Sequence, residues 1–369
     1  MAESRLHKLS EAGVSVWIDT LSRDLVHGGE LARAIAEDAV VGITSNPTIF
    51  EKAISSGDAY DAQLRECAAD GLDVAESFIR LAERDVADAC DVLRPVWERT
   101  GGQDGYVSIE VDPTLAYETE ETFAQTMRFH GEIDRPNLLV KIPATRPGLP
   151  AIEDAIAAGR SINITLIFSL RRYREVVEAY LRGLERLVAG GGDPAKVASV
   201  ASFFVSRVDT ETDKRLEALG GHDELKGRLA IANAKLAYEH YQEAFSGQRW
   251  EYLAGKGATP QRCLWASTST KNPAYRDVVY VEELIAPDTV NTMPEETIRA
   301  FQDHGEVKPG SATAGVDEAH ALLGELAAAG VDYDDVVATL EAEGVQKFAD
   351  SYAQLLDRIR AKRDELVTA

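Results

Sequence analysis

Eight short apolar runs, separated by longer stretches of helical periodicity, constrain the fold of this 369-residue chain more than any other feature. The runs are Val14–Asp19, Val40–Ser45, Tyr106–Val111, Leu138–Ile142, Ser161–Phe168, Ala198–Val205, Cys263–Ser267 and Val290–Thr292. Between them lie amphipathic patterns such as Asp73–Glu98, Glu118–His130, Leu170–Val188, Asp223–Phe245 and Pro273–Leu284. Strands that alternate with helices pair in parallel, and eight is the number that closes a (β/α)8 barrel. A doubly wound open sheet is the alternative, but it often carries a Gly-rich first turn, and no G-x-G-x-x-G occurs here. The cluster Gly190-Gly191-Gly192-Asp193-Pro194 reads as a helix-to-strand turn, too short for a linker. After Gly310 the pattern is wholly helical: Val316–Ala328, then a stretch from Tyr333 to about Leu366. Its apolar residues Val345, Phe348, Tyr352, Leu355, Leu356 and Ile359 recur at helical spacing, which predicts a helix packed over the barrel rather than one held for a partner. The expected architecture is one α/β domain over residues 1–369, a (β/α)8 TIM barrel whose residues from about 311 to 369 are helical additions.

Composition excludes several function classes. A net charge of −23 argues against a general nucleic-acid binder, which gains affinity from basic surface, and against attraction to anionic lipid. An anionic substrate would need cations concentrated locally against that field. Cys67, Cys90 and Cys263 are odd in number and far apart, so no disulfide framework or thiolate metal site is implied. The start, Met1 to His7, has no apolar core of a signal peptide, and no run of about 18 apolar residues could span a membrane. A cytoplasmic protein is expected. The histidines form no H-x-x-H or H-x-H pair, and neither a G-x-S-x-G elbow nor a Walker A loop occurs.

Side chains alternate across a strand, so parity shows which residues share a face. In Tyr106–Asp112, Ser108, Glu110 and Asp112 lie opposite Val107, Ile109 and Val111. In Ser161–Leu166, Ser161, Asn163 and Thr165 lie opposite three aliphatics, as do Ser15, Trp17 and Asp19 in the first run. In Asn137-Leu138-Leu139-Val140-Lys141-Ile142-Pro143-Ala144-Thr145, a lone lysine shares a face with Leu139 and Pro143. If helices wrap the aliphatic face, the polar face points into the barrel. Four such strands with charged or amide groups near their C-terminal ends are best explained by one shared site, since that end carries the chemistry in barrel enzymes.

Lysine is rarely buried without a reason. A desolvated amine gives up its proton more readily, and a neutral amine is what imine chemistry with a carbonyl substrate requires. The alternative is an edge strand from which Lys141 reaches water. A protonated imine is an electron sink for carbon–carbon cleavage. That cleavage needs a carboxylate to take a hydroxyl proton and a second acid/base to manage imine formation. Asp19 and Glu110 are the candidates, the alternative being a structural ion network around Lys141.

Thr44-Ser45-Asn46-Pro47-Thr48, Ile109-Glu110-Val111-Asp112, Val140-Lys141-Ile142-Pro143-Ala144-Thr145 and Asn163-Ile164-Thr165-Leu166-Ile167-Phe168 follow one another at separations that resemble the transaldolase family, in its longer bacterial branch. The resemblance covers roughly residues 14–310. It implies a TIM barrel of the class I aldolase type that needs no metal or organic cofactor. It implies transfer of a dihydroxyacetone unit from sedoheptulose 7-phosphate to glyceraldehyde 3-phosphate, giving erythrose 4-phosphate and fructose 6-phosphate, within the non-oxidative pentose phosphate pathway. By the same resemblance Lys141 is the Schiff-base lysine and Asp19 the base in cleavage, while Glu110 and Thr165 position a proton-shuttling water. Asn46, Asn163 and Ser202 hold hydroxyls of the dihydroxyacetone unit. Arg207 and Ser267 match phosphate ligands, but the family's arginine two residues after the serine is Ser269 here, and Lys271 is expected to replace its charge. The alternative for Lys271 is a solvated surface lysine. Thr292 and Met293 are expected to line the site. The implied partners are small-molecule sugar phosphates, with a homodimer compatible with the exterior helices. Two rivals stay open: a fructose-6-phosphate aldolase that releases free dihydroxyacetone, and a catalytically silent sugar-phosphate-binding barrel.

Overall fold

The computed structural model describes residues 4–368; residues 1–3, part of the Met1–His7 start in which no signal peptide is expected, lie outside them. Each apolar run forms a strand: β1 (Val14–Ile18), β2 (Val40–Ile43), β3 (Tyr106–Glu110), β4 (Leu138–Pro143), β5 (Ile162–Ile167), β6 (Ser199–Phe204), β7 (Arg262–Ala266) and β8 (Thr289–Met293). They pair in chain order, all in parallel, and β1 closes on β8 to complete the (β/α)8 barrel. Short polar side chains start the helices as the sequence dictates. Asp73, Ser169 and Asn46 each accept the N–H of the residue three positions on, which satisfies a donor that the first helical turn leaves free.

Closure decides the fate of the polar faces. Asn163 on β5 donates across the interior to Ser108 on β3 at 3.0 Å, so both point inward past the strand between them. At the lower end, Arg262 pairs with Asp104 at 3.1 Å and donates to Ser15 at 2.8 Å. Trp17 fills the space left by Gly42, where a Cβ would lie 2.5 Å from the indole. The bottom is therefore plugged, and the cavity is at the C-terminal ends of the strands.

Two helical readings need correction. Of Pro273–Leu284 only Val279–Glu282 is helical. Asn272 accepts the Ala274 N–H with its side chain, and the Tyr275 N–H goes to the Asn272 carbonyl, so a local turn replaces a helical start. Asp223–Phe245 divides into a 3-10 turn, Asp223–Leu225, and a helix from Leu229 to Ala244. Gly227 between them sits at φ +67°, left-handed backbone that no helix continues.

The terminal helix, Tyr333–Thr368, crosses the open end of the barrel and carries the expected apolar stripe inward. Val345, Phe348, Tyr352, Leu355 and Ile359 are all buried, and Leu356 is partly so. Arg215–Asp335 at 2.6 Å, Arg172–Glu341 at 3.4 Å and Lys362–Asp61 at 2.9 Å fasten the helix along its length. Gly344 lets it approach closely, since a Cβ there would lie 3.1 Å from Leu166. Leu166 itself is at φ +57°, where β5 and β6 shift register, a local strain next to the site. No helix among the described residues is long and apolar enough to cross a membrane.

Candidate active site

Register brings the chemistry together. Glu110 is paired with Lys141 across β3 and β4, and Lys141 with Asn163 across β4 and β5. Three inward side chains thus occupy one row. Lys141 is 5% exposed, and its Nζ donates to Glu110 Oε2 and to the Ser45 carbonyl, each at 3.3 Å. A closed barrel has no edge, so the reading of an edge lysine reaching water falls. Burial pushes the Glu110 carboxyl above the usual carboxylate range, and the neighbouring Lys141 charge pulls it back.

Around this row the partners are specific. Asn163 accepts from Ser202 at 2.6 Å and donates to Ser108, so both ends of its amide are oriented. Glu110 Oε1 and Thr165 Oγ1 are buried and take no hydrogen bond from the described residues. Buried polar atoms are rarely left in that state without a function or a bound molecule.

Asp19, at the end of β1, lines the cavity. Thr44 donates to its Oδ1 at 2.6 Å and is itself 2.7 Å from the Thr292 hydroxyl. Because Thr44 spends its proton on Asp19, Thr292 must donate to Thr44, and the chain aims the carboxylate. Burial raises the Asp19 carboxyl above its usual range, against the Lys141 charge and the Thr44 hydrogen bond.

A cavity of about 550 Å³ opens over these groups, lined by Asp19, Asn46, Lys141, Ser202, Arg207, Ser267 and Lys271 among others. Glu110, Asn163 and Thr165 do not line it but are buried in β3 and β5, the strands that flank the one carrying Lys141. All ten candidate residues thus gather at one end of the barrel. Asn46 has a second duty: its Oδ1 caps the helix Pro47–Ser55, which leaves its amide N–H groups for a ligand. Arg207 is half-buried, its guanidinium 5.1 Å from the Phe204 ring. It forms no salt bridge with a described residue, and desolvation works against its charge. An anion would relieve that cost. Ser267 sits at φ +55°, a conformation held at a site rather than chosen by serine. Lys271 is exposed and donates to Ser269 Oγ at 2.8 Å. Thr292 lines the cavity; Met293, fully buried on the opposite face, does not.

Among the lining residues to which the sequence reading gave no role, three stand close to the chemistry. Thr44 lay inside a recognised motif with no role attached. Lys52 lies one helical turn and a half beyond Asn46 and faces the same cavity. Phe348, from the terminal helix, places its ring 5.6 Å from Lys141 Nζ and 6.0 Å from Arg207 Cζ. Helical periodicity marked Phe348 as apolar-face, but only the tertiary fold shows that this face covers the site.

A lysine paired with a glutamate inside a parallel eight-stranded barrel, beneath a mouth bearing an aspartate and an arginine with no salt bridge among the described residues, is the site of a (β/α)8-barrel enzyme. The chain belongs to the transaldolase/fructose-6-phosphate aldolase family, whose model matches residues 16–359. It is 54% identical over 356 residues to a transaldolase of Frankia alni, covering 96% of each chain. It is 53% identical over 362 residues to one of Saccharopolyspora erythraea, covering 98% of each, and 52% identical over 362 residues to one of Mycobacterium bovis, covering 97% of each.

Proposed function

We propose that the chain is a transaldolase, carrying a dihydroxyacetone unit from sedoheptulose 7-phosphate to glyceraldehyde 3-phosphate through an imine on Lys141. The observation that carries this is the buried Lys141–Glu110 pair, in register with Asn163 and beneath Asp19. Lys141 transfers its proton to Glu110 and attacks the ketose carbonyl carbon. A water held between Glu110 Oε1 and Thr165 Oγ1 relays protons as the carbinolamine loses water to give the imine. Asp19, its basicity raised by burial, takes the proton of the C4 hydroxyl. The C3–C4 bond breaks, its electrons move into the iminium, and the aldehyde leaves. The enamine stays on Lys141, its hydroxyls held by Asn46, Asn163 and Ser202. It then attacks the acceptor aldehyde, Asp19 returns its proton, and water releases the new ketose.

Arg207, Ser267 and Lys271 hold the phosphate, the guanidinium through directed hydrogen bonds and Lys271 as a point charge. This reading puts the work in the cytoplasm, in the non-oxidative pentose phosphate pathway, with no metal or organic cofactor required. Borohydride reduction with fructose 6-phosphate, followed by peptide mass measurement, tests it. A dihydroxyacetone-sized adduct is expected on the peptide containing Lys141, and its absence would sink the imine. Product formation must also depend on an aldehyde acceptor; free dihydroxyacetone released without one would favour the aldolase reading. Phe348 supports transfer, because a ring over Lys141 shields the enamine from premature protonation.

A further inference from the structure

Arg207 stands one residue into the helix Ser206–Leu219, whereas Ser267 and Lys271 belong to the segment after β7. The two are joined at the top of the barrel: the Ser206 N–H donates to the Ser267 carbonyl at 3.0 Å, and their hydroxyls lie 3.0 Å apart. Farther along, two carboxylates one helical turn apart repeat a single arrangement. Asp209 accepts the Ala230 N–H at 2.7 Å and the Tyr280 hydroxyl at 2.7 Å. Asp213 accepts the Gly227 N–H at 2.9 Å and the Tyr275 hydroxyl at 2.5 Å. Each carboxylate thus ties its helix to two segments at once: one backbone N–H comes from the connection before β7, and one tyrosine from the segment after it. Both aspartates are buried. Gly227 completes the seat of Tyr275, since a Cβ there would lie 2.7 Å from the ring.

We propose that Tyr275 and Tyr280, clamped by Asp213 and Asp209, are positioning residues for the phosphate end of the substrate. They hold the segment bearing Ser267 and Lys271 at a fixed distance from Arg207. The inference rests on reading those three residues as phosphate ligands. Between Ser267 and Val279 the chain lacks regular structure, and a lysine holds phosphate only as well as its backbone is held. Tyr275 lies four residues beyond Lys271, close enough to fix where its ammonium can reach. The clamp touches none of the groups around Lys141, so its loss should weaken recognition of phosphate and spare the imine steps.

Steady-state kinetics on the full chain tests this with erythrose 4-phosphate and D-erythrose as alternative acceptors, at saturating fructose 6-phosphate. Tyr275→Phe should raise KM for erythrose 4-phosphate by about three- to tenfold, with kcat and the KM for D-erythrose changed less than about twofold. In a Lys271→Ala background the same substitution should add less than about twofold, because residues acting through one another are not additive. Tyr280→Phe is the second probe, should Tyr275→Phe fold poorly, and must shift the same ratio in the same direction. An equal loss with both acceptors, no loss, or full additivity with Lys271→Ala would overturn the proposal. If Arg207→Ala and Lys271→Ala themselves leave the ratio unchanged, the phosphate assignment has failed instead.

Discussion

Replacing Lys141 by methionine separates its charge from its shape. The ammonium and the Glu110 carboxylate are 3.3 Å apart, with side chains 6% and 3% exposed. At an effective dielectric constant of about 20, unit charges at that separation attract by about 5 kcal/mol. Desolvation of both groups offsets much of this, so the intact pair adds little net stability. Removing the lysine alone leaves the desolvated carboxylate without its partner, a change that costs about 3–5 kcal/mol in buried pairs. Methionine keeps most of the volume, so a cavity contributes little. The cost carries a pH signature. Without Lys141, the upward push of burial on Glu110 loses its main opponent. An acid with a raised folded-state pKa contributes stability that is full below its unfolded value, near 4.5, and lost as the pH rises through the folded value. Lys141→Met should therefore unfold in urea close to the parent at about pH 5, yet be destabilised by about 3 kcal/mol at about pH 8. Adding Glu110→Gln should restore most of the difference at the higher pH. Both variants should be inactive and form no adduct. Equal destabilisation at both pH values, or no rescue by the glutamine, would refute the argument and place the loss in packing.

Asp19→Asn should slow cleavage by at least about a hundredfold while borohydride still traps an imine; a variant unable to form any adduct would contradict the role given to Asp19. Phe348→Ala should raise the fraction of turnovers that release free dihydroxyacetone, measured against transfer to erythrose 4-phosphate. An unchanged fraction in a well-folded variant would show that the ring does not shield the enamine. Burial raises Asp209 from 3.8 to about 7, so its contribution to stability is full below 3.8 and lost as the pH rises through 7. Asp209→Asn removes that dependence, so urea midpoints should shift in the variant's favour, relative to the parent, between about pH 4 and pH 8. A constant difference across that range would contradict it.

The strands were legible because apolar runs bounded by turn residues have few other ways to be buried. Parity identified the inward set, Ser108, Glu110, Lys141, Asn163 and Thr165, because a strand has a period of two wherever it sits. The row from Glu110 through Lys141 to Asn163 was not legible: register is set between strands, and no one strand encodes it. Asn46 shows a signal read only in part. Asn before Pro announces a helix cap, yet the sequence reading took the residue only as a hydroxyl ligand. Pro273–Leu284 misled because its apolar residues follow a helical period while Asn272 captures the backbone groups a helix would need. The clamp of aspartates and tyrosines was invisible, since it joins residues some 60–70 positions apart (Asp213 to Tyr275, Asp209 to Tyr280).

The terminal helix also sets an order in time. Phe348 lies more than two hundred positions after Lys141, and a chain is synthesised from its N-terminus. The strand that carries Lys141 is therefore made long before the ring that roofs it. Until Tyr333–Thr368 docks, the Phe348 ring is not over the Lys141 amine. On the proposed imine mechanism, losing that helix would leave the enamine on Lys141 without the Phe348 ring and open to protonation by solvent.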